Sequence, residues 1–181
     1  MAEAFSNKLT RAAGIVTTSS SGSIGVTTTI ITGISTVGVA VSDLVDNTNF
    51  IAGTKVTGYG AAASQVVVDQ TSTNTSAVSG SAIVNFLGMT TAYTSSATKS
   101  ILIGGTFANN TSSSVNLTVE VHDASAGVQA AIASKIPVPT GSSFVISDAG
   151  KTVLEASDEV RVFCDTANAL DVNLSILTGV S

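Results

Sequence analysis

Val115-Asn116-Leu117-Thr118-Val119-Glu120-Val121-His122 decides the fold class, because apolar and polar residues alternate through it without a break. Successive side chains on a strand point to opposite faces, so this stretch has one dry face and one wet face. A helix would need its apolar residues three and four apart. The same alternation returns at Glu159-Val160-Arg161-Val162-Phe163-Cys164 and at Asp171-Val172-Asn173-Leu174-Ser175-Ile176. The last of these is the expected ladder partner of the Val115 strand.

Shorter runs extend the pattern towards both ends of the chain. Ile15-Val16, Ile24–Ile31, Val37–Val41, Asp43–Asn47, Phe50–Val56, Gln65–Asp69, Ala82–Leu87 and Ile101–Phe107 read as strands, rich in the β-branched residues that suit a pleated sheet. Phe144–Ile146 and Lys151–Leu154 do the same, with Asp148-Ala149-Gly150 as the turn between them. Polar stretches at Thr71–Ser76, Thr94–Thr98 and Asn109–Ser114 separate them as loops. Gly53 marks a turn, and Ile136-Pro137-Val138-Pro139 enforces an extended edge because proline cannot donate to a ladder. Val128–Ser134 is the one stretch where a short helix competes. Strands at intervals of roughly 8–12 residues with turn signals between them indicate an all-β protein. The expected organisation is an N-terminal arm (1–13), a first β module (14–90) and a second β-sandwich module (91–181), each module a small antiparallel sandwich or barrel.

Composition narrows the chemistry. Ser and Thr make up 51 of the 181 residues, only 10% are charged, and there is one His, one Cys and no Trp. Enzymes work with groups that exchange protons near neutrality, and this inventory is poor in them, so the chain reads as a non-enzyme with no cofactor. The net charge of −5 comes without any basic stripe, which speaks against nucleic acid as a partner. No apolar run approaches the ~20 residues of a membrane span, and no secretory signal is apparent. The sequons at Asn74, Asn110, Asn116 and Asn173 are expected by chance in so Ser/Thr-rich a chain.

The few reactive residues have ordinary explanations. His122 is expected at a solvated turn, since Asp123 and Ser125 are too close along one strand to converge with it as a triad. Cys164 lies in the inward register of its strand, as a buried, inert thiol does. Glu155, Asp158 and Glu159 lack the regular oxygen spacing and glycine of a calcium loop and read as a polar turn. The only local positive balance lies in the N-terminal arm, where Lys8 and Arg11 are the candidate interface residues, facing an acidic partner. Tyr59, Tyr93 and Phe163 are the candidate exposed rings should the chain bind sugars.

Several stretches also carry a resemblance. Gly25–Thr36, Asp43-Leu44-Val45 and Ile51–Val56 look like β modules common in tailed-phage structural proteins. Phe107–Thr111, Val138–Ser143, Lys151–Val162 and Leu170–Leu177 resemble small virion structural proteins of marine and cyanobacterial phages. The resemblance runs from about Arg11 to Gly179 and rests on strand-and-turn patterns. It implies a bacteriophage virion component, first of all a capsid decoration or cement protein. Such a protein would be a homo-oligomer in contact with the major capsid protein or other virion proteins. A neck, tail or fibre-associated position is the alternative, and a carbohydrate-binding sandwich for host attachment is a third reading.

Overall fold

Long alternating segments and short apolar runs form two different kinds of sheet in the computed structural model, which describes residues 3–96, 98–147 and 151–180. The fold is all-β, and no helix occurs among the described residues. The chain divides into two compact units. One joins Met1–Gly14 to Thr90–Ser181, and the other is Ile15–Met89.

The first unit is a sandwich of two antiparallel sheets. One sheet has the order β1 (Ala4–Ala13), β16 (Leu170–Val180), β10 (Lys99–Asn109), β13 (Ser143–Ile146), with β14 (Thr152–Leu154) also paired to β10. The other runs β12 (Val128–Val138), β11 (Val115–Asp123), β15 (Glu159–Cys164), β9 (Thr90–Thr94). Period-two alternation, its parity reset in β10 by a bulge at Ile103, sends Leu102, Phe107, Leu174 and Ile176 from one sheet into the same core as Leu117, Val119, Val160 and Val162 from the other. All eight are fully buried, each contributing about 1.5–3 kcal/mol of apolar transfer energy. Gly104 lets β13 approach β10, since a Cβ there would lie 2.7 Å from the Ile146 carbonyl oxygen.

The second unit is built from shorter strands. One sheet is β2 (Ile15–Ser19), β8 (Val84–Gly88), β5 (Leu44–Asp46); the other is β3 (Ser23–Ile24), β4 (Ile30–Thr32), β7 (Gln65–Val68), β6 (Val56–Tyr59). Ile24, Ile31, Val66, Val84 and Phe86 form the centre of its core. Side chains secure the loops. The Ser72 hydroxyl donates to the Gly25 carbonyl and accepts from the Thr28 N–H. The Asp69 carboxylate accepts the Lys55 N–H, and the Tyr59 hydroxyl donates to the Val39 carbonyl.

Several expectations are corrected. Residues 4–13 are no separate arm: they form an edge strand bonded to β16 from Ala4↔Thr178 to Ala13↔Leu170. The first 14 residues therefore belong with the second module, and the first module is an insertion between β1 and β9. The Val115 strand pairs with β15 and β12, not with the strand containing Val172. Val128–Ser134 is extended, not helical, because it adds to a sheet edge. Ile24–Ile31 is not one strand, since Thr27 takes a left-handed φ of 52° and reverses the chain. Val37–Val41 forms turns, and Phe50–Thr54 is likewise irregular. The Asp148–Gly150 turn lies outside the described residues, as does Ala97 in the Thr94–Thr98 loop.

Candidate interaction surfaces

The strand β1 is inside out. Its partners in the ladder are Ser6↔Ile176, Lys8↔Leu174 and Thr10↔Val172, and those three β16 residues point into the core. Ser6, Lys8 and Thr10 therefore face the sandwich interior, while Phe5 and Leu9, with Asn7 between them, face outwards, the two apolar residues 77% and 73% exposed. The Thr10 hydroxyl donates to the Ala92 carbonyl at 3.5 Å, but Ser6 Oγ is buried with no hydrogen-bond partner among the described residues. An amphipathic edge strand in a self-sufficient sandwich has the opposite polarity.

The outward residues of β1 continue across the sheet. Phe5 stands opposite Leu177, Leu177 opposite Ile101, and Ile101 opposite Val153, an apolar row spanning four strands. A second row, Leu9–Asn173–Thr106–Val145, half of it polar, lies one row further along, with Asn7–Ser175–Gly104 between the two. Val145 and Val153 are more than half exposed. A shallow groove of about 390 Å³ lies at the Leu9 end, lined also by Arg11, Thr106, Ala108 and Asp171.

The two cations expected to work together are separated by the strand. Lys8 is half-buried, its Nζ 6.0 Å from the centre of the Tyr93 ring, within cation–π range. Arg11 is exposed at a bulge where Ala12 takes a φ of 55° and its N–H donates to Asp171. That N–H bond foremost, then the Asn110 side chain and finally the Arg11 charge, hold the Asp171 carboxyl below its ordinary range. The surface is thus apolar along the Phe5 row and mixed along the Leu9 row, with one charge of each sign at its end. Charge was readable in the sequence; facing was not, since pairing with a strand more than 150 residues away sets it.

The remaining reactive groups are dispersed. Cys164 is buried, and desolvation foremost pushes its thiol up to about 11. His122 lies in β11 rather than in a turn. It sits opposite Glu159, on the other face of the sheet from Cys164 and five ladder positions away, so the two cannot act together. Asp158 caps a loop by accepting the Ala124 and Glu155 N–H groups, and Glu155 pairs with Lys99 at 3.5 Å. Among the described residues no three His, Cys, Asp or Glu side chains are grouped to hold a metal ion. Tyr93 and Phe163 are buried, against the expectation of exposed rings; only Tyr59 is open, and its hydroxyl is already bonded. Compared with known proteins, the chain matches no family, no curated protein and no solved structure.

Proposed function

We propose that this protein is a structural component of a tailed-phage virion, a decoration protein seated on the capsid surface, which acts by burying its outer sheet face against a neighbouring virion protein. The inverted polarity of β1 carries this reading: Phe5 and Leu9 face out while Ser6 and Lys8 face in. A strand arranged so is unfavourable in isolation and favourable when its outer face is covered. Many symmetric copies on a shell multiply modest contacts into firm attachment. The role is mechanical and needs no catalytic group.

Cryo-EM of the purified particle tests the reading. Copies spread over the icosahedral shell, with Phe5, Ile101 and Leu177 against a neighbour, support it. One ring at a tail vertex moves the protein to the neck or tail, and its absence from the particle overturns the structural role. Ile101→Asp, which alters an outward residue of the row, should abolish attachment while the free protein remains folded.

A further inference from the structure

The bulge in β1 is what turns that strand inside out. The ladder runs without a break from Ala4↔Thr178 to Thr10↔Val172, and it resumes at Ala13↔Leu170. Three steps along β1 thus match two along β16, which leaves one residue stored at Arg11–Ala12. Both of these are exposed, whereas Ala13 is wholly buried in the core. One extra residue in a ladder reverses the facing of everything beyond it, because the side-chain period is two. Counted back from Ala13 without the bulge, Arg11, Leu9, Asn7 and Phe5 point inwards, and Thr10, Lys8 and Ser6 point outwards. The bulge also holds Ala12 at a left-handed φ of 55°, which costs a residue that carries a Cβ. It half-buries Lys8 and leaves the Ser6 hydroxyl without a partner among the described residues.

We infer that Ala4–Thr10 has a second register, one residue along β16, in which the bulge is absorbed and Phe5 and Leu9 are buried. Pairing is then continuous from Phe5↔Thr178 through Leu9↔Leu174 to Ala13↔Leu170. Leu9 takes the position opposite Leu174 that the Lys8 stem fills now, beside Tyr93. Phe5 enters at the end of the core, where the small Ala4 now stands opposite Thr178. Ser6 and Lys8 gain solvent, and Ala12 returns to extended backbone opposite Asp171. Asn7 and Arg11 turn inwards, but on an edge strand, from which a long side chain still reaches water. The free protein thus keeps its two large apolar side chains covered. A neighbour that buries the outer row selects the bulged register. This rests on the docking role proposed for that row and supplies its regulation: Phe5 and Leu9 are presented where there is something to dock against.

Disulfide capture in the free protein, in a Cys164→Ser background, tells the registers apart. Opposed Cα atoms on paired strands lie ~4.5–5.5 Å apart, within disulfide reach. Asn7→Cys with Ser175→Cys reports the bulged register, where the two stand opposite each other on the outer face. Lys8→Cys with Ser175→Cys reports the second register. Gln129→Cys with Ser175→Cys, on different sheets, gives the background rate. Each pair is oxidised with glutathione disulfide and the monomer is followed by mass spectrometry. The expected result is capture of the Lys8→Cys pair well above background, with a dependence on position 12. Ala12→Gly favours the left-handed bulge and should lower the ratio of Lys8→Cys to Asn7→Cys capture roughly tenfold. Ala12→Val resists that φ and should raise the ratio. Deleting Ala12 removes the stored residue and should leave capture of the Asn7→Cys pair alone. Comparing position 12 at fixed cysteine pairs cancels any bias from replacing Lys8. The inference is overturned if the Lys8→Cys pair stays at background, or if Ala12→Gly leaves the ratio unchanged. Ala12→Gly decides the matter should Ala12→Val lose its fold. No particle is involved, so a single register leaves the docking reading standing with its row always exposed, and failure to attach leaves the two registers standing.

Discussion

The two units solve the same β problem with different means. In the first, strands of up to eleven residues pair along most of their length and enclose twenty buried apolar residues. In the second, no strand exceeds five residues, the core cluster has twelve, and side-chain hydrogen bonds from Ser72, Asp69, Asn47 and Tyr59 hold the loops that the short ladders leave free. Long ladders satisfy most of the backbone and leave side chains such as Asn109 and Asp158 to the turns; short ones leave a larger share to polar side chains. The Ser/Thr/Asn richness of the chain has a structural use here.

Cutting the cores breaks the comparison most forcefully. Phe107→Ala and Phe86→Ala each remove a fully buried ring, at about 3–5 kcal/mol. Calorimetry should show Phe86→Ala abolishing the transition of the second unit, which has the smaller reserve, while Phe107→Ala lowers but preserves that of the first. A single transition shifting equally in both variants would falsify the separation into two energetic units. Next comes polar support. Asn109 is buried and donates to the Ser113 and Val138 carbonyls at 2.7 and 2.9 Å, so Asn109→Ala should cost roughly 2–3 kcal/mol in denaturant titration. Asn47→Ala, at a more open site, should cost about 1 kcal/mol.

Alkaline pH separates the units again. The Cys164 thiol rises from 9.0 to about 11 on folding, so the neutral form is favoured in the native state. Its contribution is complete below pH 9 and lost as the pH climbs towards 11, about 3 kcal/mol in all. The difference between wild type and Cys164→Ala should therefore change over that window in the first unit's transition and not in the second's. The smallest effect is a gain. Ser6→Ala removes a buried hydroxyl without a partner among the described residues and should stabilise the first unit by roughly 1 kcal/mol. A loss of stability instead would show that the hydroxyl is satisfied and that β1 is less unfavourable than its facing suggests.

The same contrast explains what the sequence made legible. Val115–His122, Glu159–Cys164 and Leu170–Ile176 were readable as strands because alternation persists through six or more residues of each, but the wet face expected of the first two is in fact buried at Thr118, Glu120, Arg161 and Phe163. Their order was not, because alternation says which face is buried and nothing about which ladder lies beside it. In the second unit the apolar run Ile24–Ile31 hides a reversal at Thr27, which no hydrophobic pattern announces. Val128–Ser134 was ambiguous because its alanines favour a helix, and the tertiary ladder with β11 overrode that preference. At the surface, Lys8 and Arg11 were visible as charges. The apolar row was not, since Phe5, Ile101, Val153 and Leu177 come from four distant segments and meet only through register.

The pairing of β1 with β16 also fixes a schedule. The strand β1 leaves the ribosome well over a hundred residues ahead of the strand it is bonded to. At 5–20 residues per second, roughly 10–30 s separate the two, long enough for the whole of Ile15–Met89 to emerge and fold in between. Through that interval Phe5 and Leu9 travel on an unpaired strand, and β10 lacks its longest neighbour. The eleven residues of β16 then act as a zip: until Leu170–Val180 is released, the outer apolar row does not exist, and a nascent chain offers its neighbours nothing to dock against.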